Sequence, residues 1–199
     1  MVTPVEATTS PRRLDAVRND ERIEAGALAE LGRNPAAGME EIAAACGVSR
    51  ATLFRRYPSR EELLAALRER SHSRLMEAVK TADLDRGTAS EALDRLIDEL
   101  VEASIPYAFL LRNPAPDHRE GQFLAPSLAR LVKRGQKSGE FSANAPPRWW
   151  ADAIIAMLQV GTRSSKRKGE IAKLIKATVT DGLCPRRRTI TPERDTALG

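Results

Sequence analysis

The chain has 199 residues, of which 42% are hydrophobic and 30% are charged, and its net charge is +5. This composition is typical of a soluble globular protein with a buried core. It excludes a disulfide framework, because the two cysteines, Cys46 and Cys184, lie far apart, and a membrane-spanning helix, because no apolar run is long enough. We therefore expect a cytoplasmic protein without a membrane partner.

The beginning of the chain predicts a polar arm followed by one helix. Residues 1–13 contain threonine, serine and proline and are expected to be disordered. A helix is expected over residues 14–31. The apolar positions on its inner face are Val17, Ile23, Ala27 and Leu31. Gly26 lies in the middle of this helix, where glycine costs about 1 kcal/mol relative to alanine. It indicates a close contact with another helix, and the alternative is that the helix simply tolerates it.

Two short helices separated by a glycine are predicted next. The first has an apolar face made of Ile42, Ala43 and Cys46. Gly47 can adopt the left-handed conformation that ends a helix, and the Ser49 hydroxyl can cap the helix that follows. On that second helix Leu53 and Tyr57 are four residues apart and should both face inward. The pattern is that of a helix-turn-helix, in which the second helix lies in the DNA major groove.

The second helix leaves a row of side chains pointing outward, and three of them are arginines. The outward positions are Arg50, Ala51, Thr52, Phe54, Arg55 and Arg56. Arg60 follows, and no acidic residue lies among these arginines. An arginine at the start of such a helix can bond to O6 and N7 of guanine, which contributes about 1–3 kcal/mol of discrimination, and a small residue such as Ala51 can contact a thymine methyl. We therefore predict that this row binds DNA.

The segment 47–64, GVSRATLFRRYPSREELL, resembles the signature of the TetR family of bacterial transcriptional regulators. The positions that agree with the family motif are Gly47, Val48, Ser49, Ala51, Thr52, Leu53, Ser59, Glu61 and Leu64. The resemblance is strong over about residues 23–67 and weak beyond. It implies a DNA-binding regulator that is not an enzyme.

The resemblance also implies roles for individual side chains. Arg50 stands where the family commonly has a base-reading residue, and Thr52 where a hydroxyl contacts phosphate. Phe54 replaces a frequent tyrosine, which keeps the ring but loses its hydroxyl. Arg60 replaces a lysine that contacts phosphate, while Arg55 and Arg56 add attraction for the DNA backbone.

One region departs from the family pattern. Gly38 stands where the family often has a threonine that meets the DNA backbone, and Glu40 stands where some relatives carry a basic base-reader. Both changes weaken the contribution expected from the first helix of the motif.

Beyond the motif the chain predicts further helices and no strand, which gives an all-α fold of roughly nine helices. Ser59 with Glu62 and Thr88 with Glu91 have the spacing of capping boxes. The downstream helices are expected near 59–80, 88–104, 107–112, 122–138, 148–162 and 170–180. We expect a disordered arm (1–13), a helix-turn-helix domain (14–58), a helical effector-binding and dimerisation domain (59–183) and a loose basic tail (184–199).

The last two helices carry more apolar residues than one core face requires, which predicts a homodimer through an intermolecular four-helix bundle. The expected interface residues are Ile154, Met157, Leu158, Ile171, Leu174, Ile175 and Thr178. The alternative is that these residues belong wholly to the core of one chain. A dimer places two recognition helices about 34–36 Å apart, which suits palindromic double-stranded DNA.

A pocket for a small-molecule effector is implied by the resemblance. Its expected wall is Met76, Leu100, Ser104, Tyr107, Phe109, Phe123 and Trp150, each of which could equally be ordinary core. The hypothesis is that an apolar effector moves the long helix after the motif and lowers DNA affinity. His72 and His118 lack neighbours with metal-ligand spacing, so we expect no metal and no cofactor.

The sequence therefore predicts a sequence-specific DNA-binding regulator, a repressor released by an apolar effector. Two other classes were weighed. An enzyme lacks support because the chain has no phosphate-binding glycine loop and no nucleophile elbow. An architectural protein that binds DNA without sequence preference remains the alternative, and the salt dependence and sequence preference of binding distinguish the two.

Overall fold

The computed structural model describes residues 11–112, 121–164 and 166–183, with side chains described from residue 20 onward. These residues form eight α-helices. They are α1 (Pro11–Arg33), α2 (Met39–Ala45), α3 (Arg50–Arg56), α4 (Arg60–Thr81), α5 (Ala89–Ser104), α6 (Ala125–Ser138), α7 (Pro147–Thr162) and α8 (Lys168–Leu183). Two 3-10 helices, Ile105–Arg112 and Gln122–Leu124, lie between α5 and α6.

The all-α prediction is confirmed, and the described ranges contain no strand. The first helix begins at Pro11, three residues earlier than expected, and the last one runs from Lys168 to Leu183, beyond both predicted ends. Several predictions fall outside the described residues: the arm up to residue 10, the side chain of Val17, the loop with His118, and the tail from residue 184.

Two hydrophobic cores hold the molecule together, and we call them the head core and the body core. The head core joins α1, α2, α3 and the first half of α4 through Ile23, Ala27, Leu31, Ile42, Cys46, Leu53, Leu63 and Leu67. In the body core α5 lies against α4, α6, α7 and α8. Helix α4 contributes to both cores, since Leu67 belongs to the head and Leu75 to the body.

The 3-10 helix Ile105–Arg112, hereafter the 3-10 segment, crosses from the body to the head. It packs against α1 and places Tyr107, Phe109 and Leu110 in the head core. The local sequence pattern does not show this packing, because the segment follows α5 directly and is more than seventy residues from α1 in the chain. The head is therefore connected to the body by two elements, α4 and the 3-10 segment.

The capping box predicted for α5 forms in both directions, and for α4 the structure shows the serine half of the predicted box. The Thr88 hydroxyl accepts a hydrogen bond from the Glu91 amide at 3.1 Å, and the Glu91 carboxylate accepts one from the Thr88 amide at 3.0 Å. The Ser59 hydroxyl accepts from the Glu62 amide at 3.1 Å. These bonds satisfy backbone N–H groups that have no partner inside the helix, and so fix where α4 and α5 begin.

The contact predicted at Gly26 is confirmed, and it is made between α1 and the end of α2. A Cβ atom at Gly26 would lie 2.5 Å from the Cα atom and 2.8 Å from the Sγ atom of Cys46. The Cys46 thiol is buried and donates a hydrogen bond to the Ile23 carbonyl at 3.3 Å. Burial raises the pKa of this thiol, which leaves Cys46 as a small hydrophobic residue that seals the helix crossing.

Gly26→Ala is expected to destabilise the head, although alanine favours helix. The added methyl group meets backbone, which cannot rotate away, and such overpacking costs about 1–3 kcal/mol. Gly32→Ala is the matched control in the same helix, because a Cβ atom there has nothing within 4 Å. The free energy of unfolding of the control should rise by about 0.5–1 kcal/mol. Urea unfolding of both variants measures the difference, and equal stability would contradict the close crossing.

Candidate DNA-binding surface, cavity and subunit face

Helix α3 is held in place by one buried side chain. Gly47 has a φ of +63°, the left-handed conformation that ends α2. Ser49 then caps α3, with its hydroxyl accepting from the Thr52 amide at 3.1 Å. Leu53 is 0% exposed and is the one α3 residue that is buried. The other side chains of α3 lie wholly or partly at the surface.

The predicted outward row lies on the surface, at two levels of exposure. Arg50, Ala51, Arg55 and Arg56 are exposed, whereas Thr52 and Phe54 are half-buried. The Thr52 hydroxyl also shares a hydrogen bond with the Ser49 hydroxyl at 2.8 Å. The row thus presents charge at its outer edge and short or aromatic groups nearer to the protein.

Arg50 forms an ion pair with Glu40 of α2, and its guanidinium lies over the Phe54 ring at 5.2 Å from the centroid. The two charged side chains are 66% and 69% exposed. This pair connects the two helices of the helix-turn-helix on the side opposite to the head core. Glu40 and Arg50 are ten residues apart on different helices, so no local sequence pattern indicates that they meet.

Arg56 and Arg60 are held against the protein. Two nitrogens of Arg56 donate to the two carboxylate oxygens of Asp20 at 3.0 and 2.8 Å. This bonding, with the charge of Asp20, raises the pKa of Arg56. Arg60 donates to the Ala37 carbonyl at 3.0 Å and to the Pro35 carbonyl at 2.6 Å.

These intramolecular bonds change what the two arginines can offer to DNA. Their predicted phosphate contacts must compete with bonds that tie α3 to α1 and α4 to the α1–α2 turn. Arg55 and Arg50 are exposed on α3, and the partner of Arg50, Glu40, is itself exposed, so these two arginines are the better placed for DNA. The partners of Arg56 and Arg60 lie more than twenty residues away in the chain, so local periodicity carried no signal for them.

A small cavity of about 60 Å³ lies in the body between α4, the 3-10 segment and α7. Its described lining includes Ser71, Leu75, Ser104, Tyr107, Leu110, Leu124, Ile155, Leu158, Gln159 and Thr162. The wall is thus apolar with hydroxyl and amide groups. Its volume is well below the roughly 300–1,000 Å³ typical of ligand pockets.

Two of the seven residues predicted for the pocket, Ser104 and Tyr107, line this cavity. The other five lie elsewhere. Leu100 is in the body core and Phe109 in the head core, while the Trp150 ring packs on Gly182. Met76 and Phe123 are half-buried, and Phe123 stacks on His72 with ring centroids 4.0 Å apart. Ser71, the one polar residue of α4 that is buried, also lines the cavity and was not among the predicted residues.

Tyr107 links this cavity to an acidic cleft of about 520 Å³ between α1, α4 and α5. Its hydroxyl donates to the Glu24 carboxylate at 2.8 Å, which joins the 3-10 segment to α1. Burial, followed by the bond to Glu24, raises the pKa of Tyr107 to about 12. The phenol therefore stays protonated and keeps donating at neutral pH.

Tyr107→Phe is expected to remove the part of the free energy of unfolding that the protein loses at alkaline pH, when Tyr107 ionises. The pKa of Tyr107 lies above its ordinary value of 10.0, so its contribution is fully present below pH 10 and is lost as the pH rises toward 12. In Tyr107→Phe the free energy of unfolding should fall less steeply over that range. At neutral pH the variant should lose about 1.5–3 kcal/mol, the usual value of a hydrogen bond to a charged group. Urea unfolding at pH 8 and pH 11 checks this, and an unchanged slope would contradict the contact.

Helices α7 and α8 share a shallow apolar groove of about 350 Å³ on the outer surface of the body. Val160 and Leu174 on its rim are 62% and 51% exposed. Of the predicted interface residues, Met157, Leu174 and Thr178 line this groove, and Ile171 and Ile175 form its buried floor. Isolated exposed leucines are common, but a groove lined by apolar groups from two helices is typical of an interaction surface.

Ile154 and Leu158 do not face this groove. Both belong to the body core, and Ile154 is 0% exposed. Their assignment to the subunit interface is therefore corrected, because both side chains pack inside this chain, and the α7 side chains at the groove include Met157 and Val160.

Within the described ranges, no helix combines the length and hydrophobicity needed to cross a membrane. The same part of the chain contains no group of three or more His, Cys, Asp or Glu side chains arranged to hold a metal ion.

Comparison with known proteins gives consistent matches. A family model described as bacterial regulatory proteins, tetR family, matches residues 25–67. The chain is 32% identical over 164 residues to the HTH-type transcriptional regulator NfxB of Pseudomonas aeruginosa, covering 78% of this chain and 87% of that protein. It is 27% identical over 168 residues to the HTH-type transcriptional repressor LfrR of Mycolicibacterium smegmatis, covering 82% and 89% respectively.

A solved structure extends the likeness to the fold. The crystal structure of the TetR-like regulator LfrR from Mycobacterium smegmatis in complex with proflavine is similar with a TM-score of 0.64 at 27% identity, covering 86% of this chain and 99% of that one. The exposed helix-turn-helix, the matched family model and the identity to NfxB agree, and the chain therefore belongs to the TetR family of DNA-binding transcriptional regulators, which are not enzymes.

Proposed function

We propose that the chain forms a homodimer that represses transcription from a palindromic operator and is released by a small effector. The observation that carries the proposal is α3: one buried leucine holds it, and Arg50, Ala51 and Arg55 project from it into solvent. A helix anchored on one side in this way can enter the major groove without rearrangement of the head. The proposed division is DNA binding in residues 14–58, with effector binding and dimerisation in 59–183.

The groove between α7 and α8 supports the dimer. Two copies of an antiparallel helix pair can associate through such faces as a four-helix bundle, and a twofold interface uses the same patch on both subunits. Pairing would cover Val160 and Leu174, two of the large apolar side chains that the single chain leaves exposed to water. The two α3 helices would then meet two half-sites on one face of DNA.

The cavity supports release by an effector. A ligand larger than a few waters must widen the cavity, and one wall is the 3-10 segment. Tyr107 and Leu110 line the cavity and also pack in the head core, so displacing them disturbs the head directly. The similarity to a repressor whose structure was solved with proflavine also supports effector binding. The wall favours an apolar compound with groups that bond to Ser71 and Ser104.

Selection of bound fragments from random duplex DNA tests the proposal. One palindrome should be enriched, and at physiological salt it should bind at least about 10³-fold more tightly than random DNA. Uniform affinity for all sequences, with a steep dependence on salt, would instead favour the architectural alternative. Titration of the operator complex with a panel of apolar compounds tests release, and insensitivity to all of them would leave a regulator without an effector.

Arg50→Ala is expected to reduce discrimination at a single base pair of each half-site. A bidentate arginine–guanine contact contributes about 1–3 kcal/mol. Without it, operators that carry other bases at that position should bind nearly as tightly as the preferred one. Arg55→Ala is the comparison, because a phosphate contact carries no base information and its loss should weaken binding to all sequences evenly. Binding profiles of both variants against single-base operator changes measure this. A uniform loss for Arg50→Ala would contradict a base-reading role.

A further inference from the structure

Helix α2 presents two adjacent carboxylates that have different surroundings. The Glu41 carboxylate accepts a hydrogen bond from the Gly38 amide at 2.8 Å and so caps its own helix. Glu40 points away from that cap and pairs with Arg50 at the start of α3. Capping therefore explains the orientation of Glu41, whereas Glu40, which also lies in the first turn where a carboxylate suits the helix dipole, makes its ion pair outside α2.

The Arg50 guanidinium has a neighbour on each side. The Glu40 carboxylate bonds to one of its terminal nitrogens, and the Phe54 ring lies beneath its central carbon at 5.2 Å. A carboxylate fixes the direction in which the nitrogens point, while a ring face favours a guanidinium stacked or held above it. Together they limit the orientations of a side chain that would otherwise sample many rotamers.

Orientation matters for reading a base. A bidentate bond to guanine needs both guanidinium nitrogens in the plane of the base, so a restricted arginine loses less conformational entropy on binding. The pair is exposed and therefore weak in water. In a groove from which water is displaced, the same charges interact more strongly.

The Glu40 carboxylate also disfavours contacts between Arg50 and DNA phosphates, which carry no sequence information. An unrestrained arginine binds any phosphate, which adds affinity for every sequence. If Arg50 turned to a phosphate, Glu40 would remain near the DNA backbone as an unpaired negative charge. Specificity depends on such unfavourable alternatives as much as on favourable contacts.

We propose that Glu40 is a positioning residue that confines Arg50 to one base pair and thereby sets operator specificity. The inference rests on the proposed function, since it requires α3 to read DNA. It gives α2 a part in DNA recognition. The departures from the family pattern at Gly38 and Glu40 had predicted only a weak contribution from this helix. Glu40 need not touch a base itself, because it acts through the arginine.

The test compares binding profiles on the selected operator and on its single-base variants. In Glu40→Gln the preference at the base pair read by Arg50 should fall about three- to tenfold, a part of what a full bidentate contact provides. Affinity for random DNA should rise about two- to fivefold, because a charge that repels phosphate has been removed. Glu40→Ala should give the same pattern, which separates the effect from any new bond made by the glutamine amide.

Glu61→Gln is the matched control, since it removes the same charge from an exposed position in the first turn of α4. It should raise affinity for all sequences and leave every base preference unchanged. Adding Glu40→Gln to Arg50→Ala should change no preference further, because the arginine it positions is gone. The melting temperatures should match that of the unaltered protein, which shows that the fold is kept.

The inference is overturned if Glu40→Gln and Glu40→Ala keep the original profile, or alter a base pair that Arg50→Ala leaves alone. This outcome is distinct from failure of the proposed function, in which the unaltered protein itself would select no sequence.

Discussion

Leu174→Glu should convert the proposed dimer into monomers and weaken operator binding by about a hundredfold or more, because two linked heads gain from the high effective concentration of the second. Leu174 is 51% exposed on the rim of the α7–α8 groove. In a twofold interface it occurs twice, and burial of the remaining exposed half of each leucine contributes about 1 kcal/mol. A glutamate would lose that contribution and place an unpaired charge in an apolar contact. Sedimentation velocity measures the assembly, and fluorescence anisotropy measures operator affinity.

Thr180→Glu is the matched control for this prediction. Thr180 is also exposed on α8, but it lies in the cleft between α5 and α8 and not in the apolar groove. The control adds the same charge to the same helix and should remain dimeric with unchanged operator affinity. If Leu174→Glu stayed dimeric, the subunit face would have to lie elsewhere on the molecule.

Leu53→Ala should abolish operator binding while the body remains folded and dimeric. Removing a fully buried leucine costs about 2–5 kcal/mol, from lost burial and from the cavity left behind. The cost falls on a seven-residue helix that has no other buried side chain, and so short a helix is not stable by itself in water. Hydrogen exchange should show loss of protection in α3, and anisotropy should show loss of binding.

Leu53→Met tests whether the effect comes from volume. Such a swap nearly conserves volume and usually costs less than about 1.5 kcal/mol, so α3 should stay folded and operator binding should persist. Equal loss of binding in the alanine and methionine variants would mean that Leu53 is needed for something other than anchoring the helix.

The features that the sequence predicted correctly are those encoded within a few residues. The inward side of α3, the caps at Ser49 and Thr88 and the close crossing at Gly26 follow from spacing of three or four positions or from a missing side chain. Such signals depend on helical geometry alone, which is the same in every protein. They were sufficient for the fold class and for the location of the helix-turn-helix.

Contacts between distant segments were not predicted, because no local pattern records them. Asp20 meets Arg56 across 36 residues, and Arg60 reaches carbonyls of the α1–α2 turn across more than twenty. As a result the arginines, which look alike in the sequence, differ in their partners: Arg56 and Arg60 are bonded to α1 and to the α1–α2 turn, whereas Arg50 is paired with the exposed Glu40.

Apolar periodicity also could not distinguish residues of the core from residues of a subunit interface or a cavity wall. It marks a side chain as one that avoids water, but not whether it meets its own chain, a partner or a cavity. Ile154 and Leu174 looked equivalent, yet one lies in the core and the other on the surface. Leu100 and Phe109 were equally plausible as a pocket wall, and each is ordinary core.

The bonds from Arg60 to the Pro35 and Ala37 carbonyls give α4 a mechanical role. They fasten its first turn to the head, so the head follows the axis of a helix of 22 residues. Such a helix is about 33 Å long, and pivoting it by about 5° at its far end would carry the near end sideways by about 3 Å. Ser71 and Leu75, which border the cavity, sit near the middle of this lever. In the proposed dimer, a displacement there of little more than an ångström would therefore change the spacing of the two α3 helices by several ångströms.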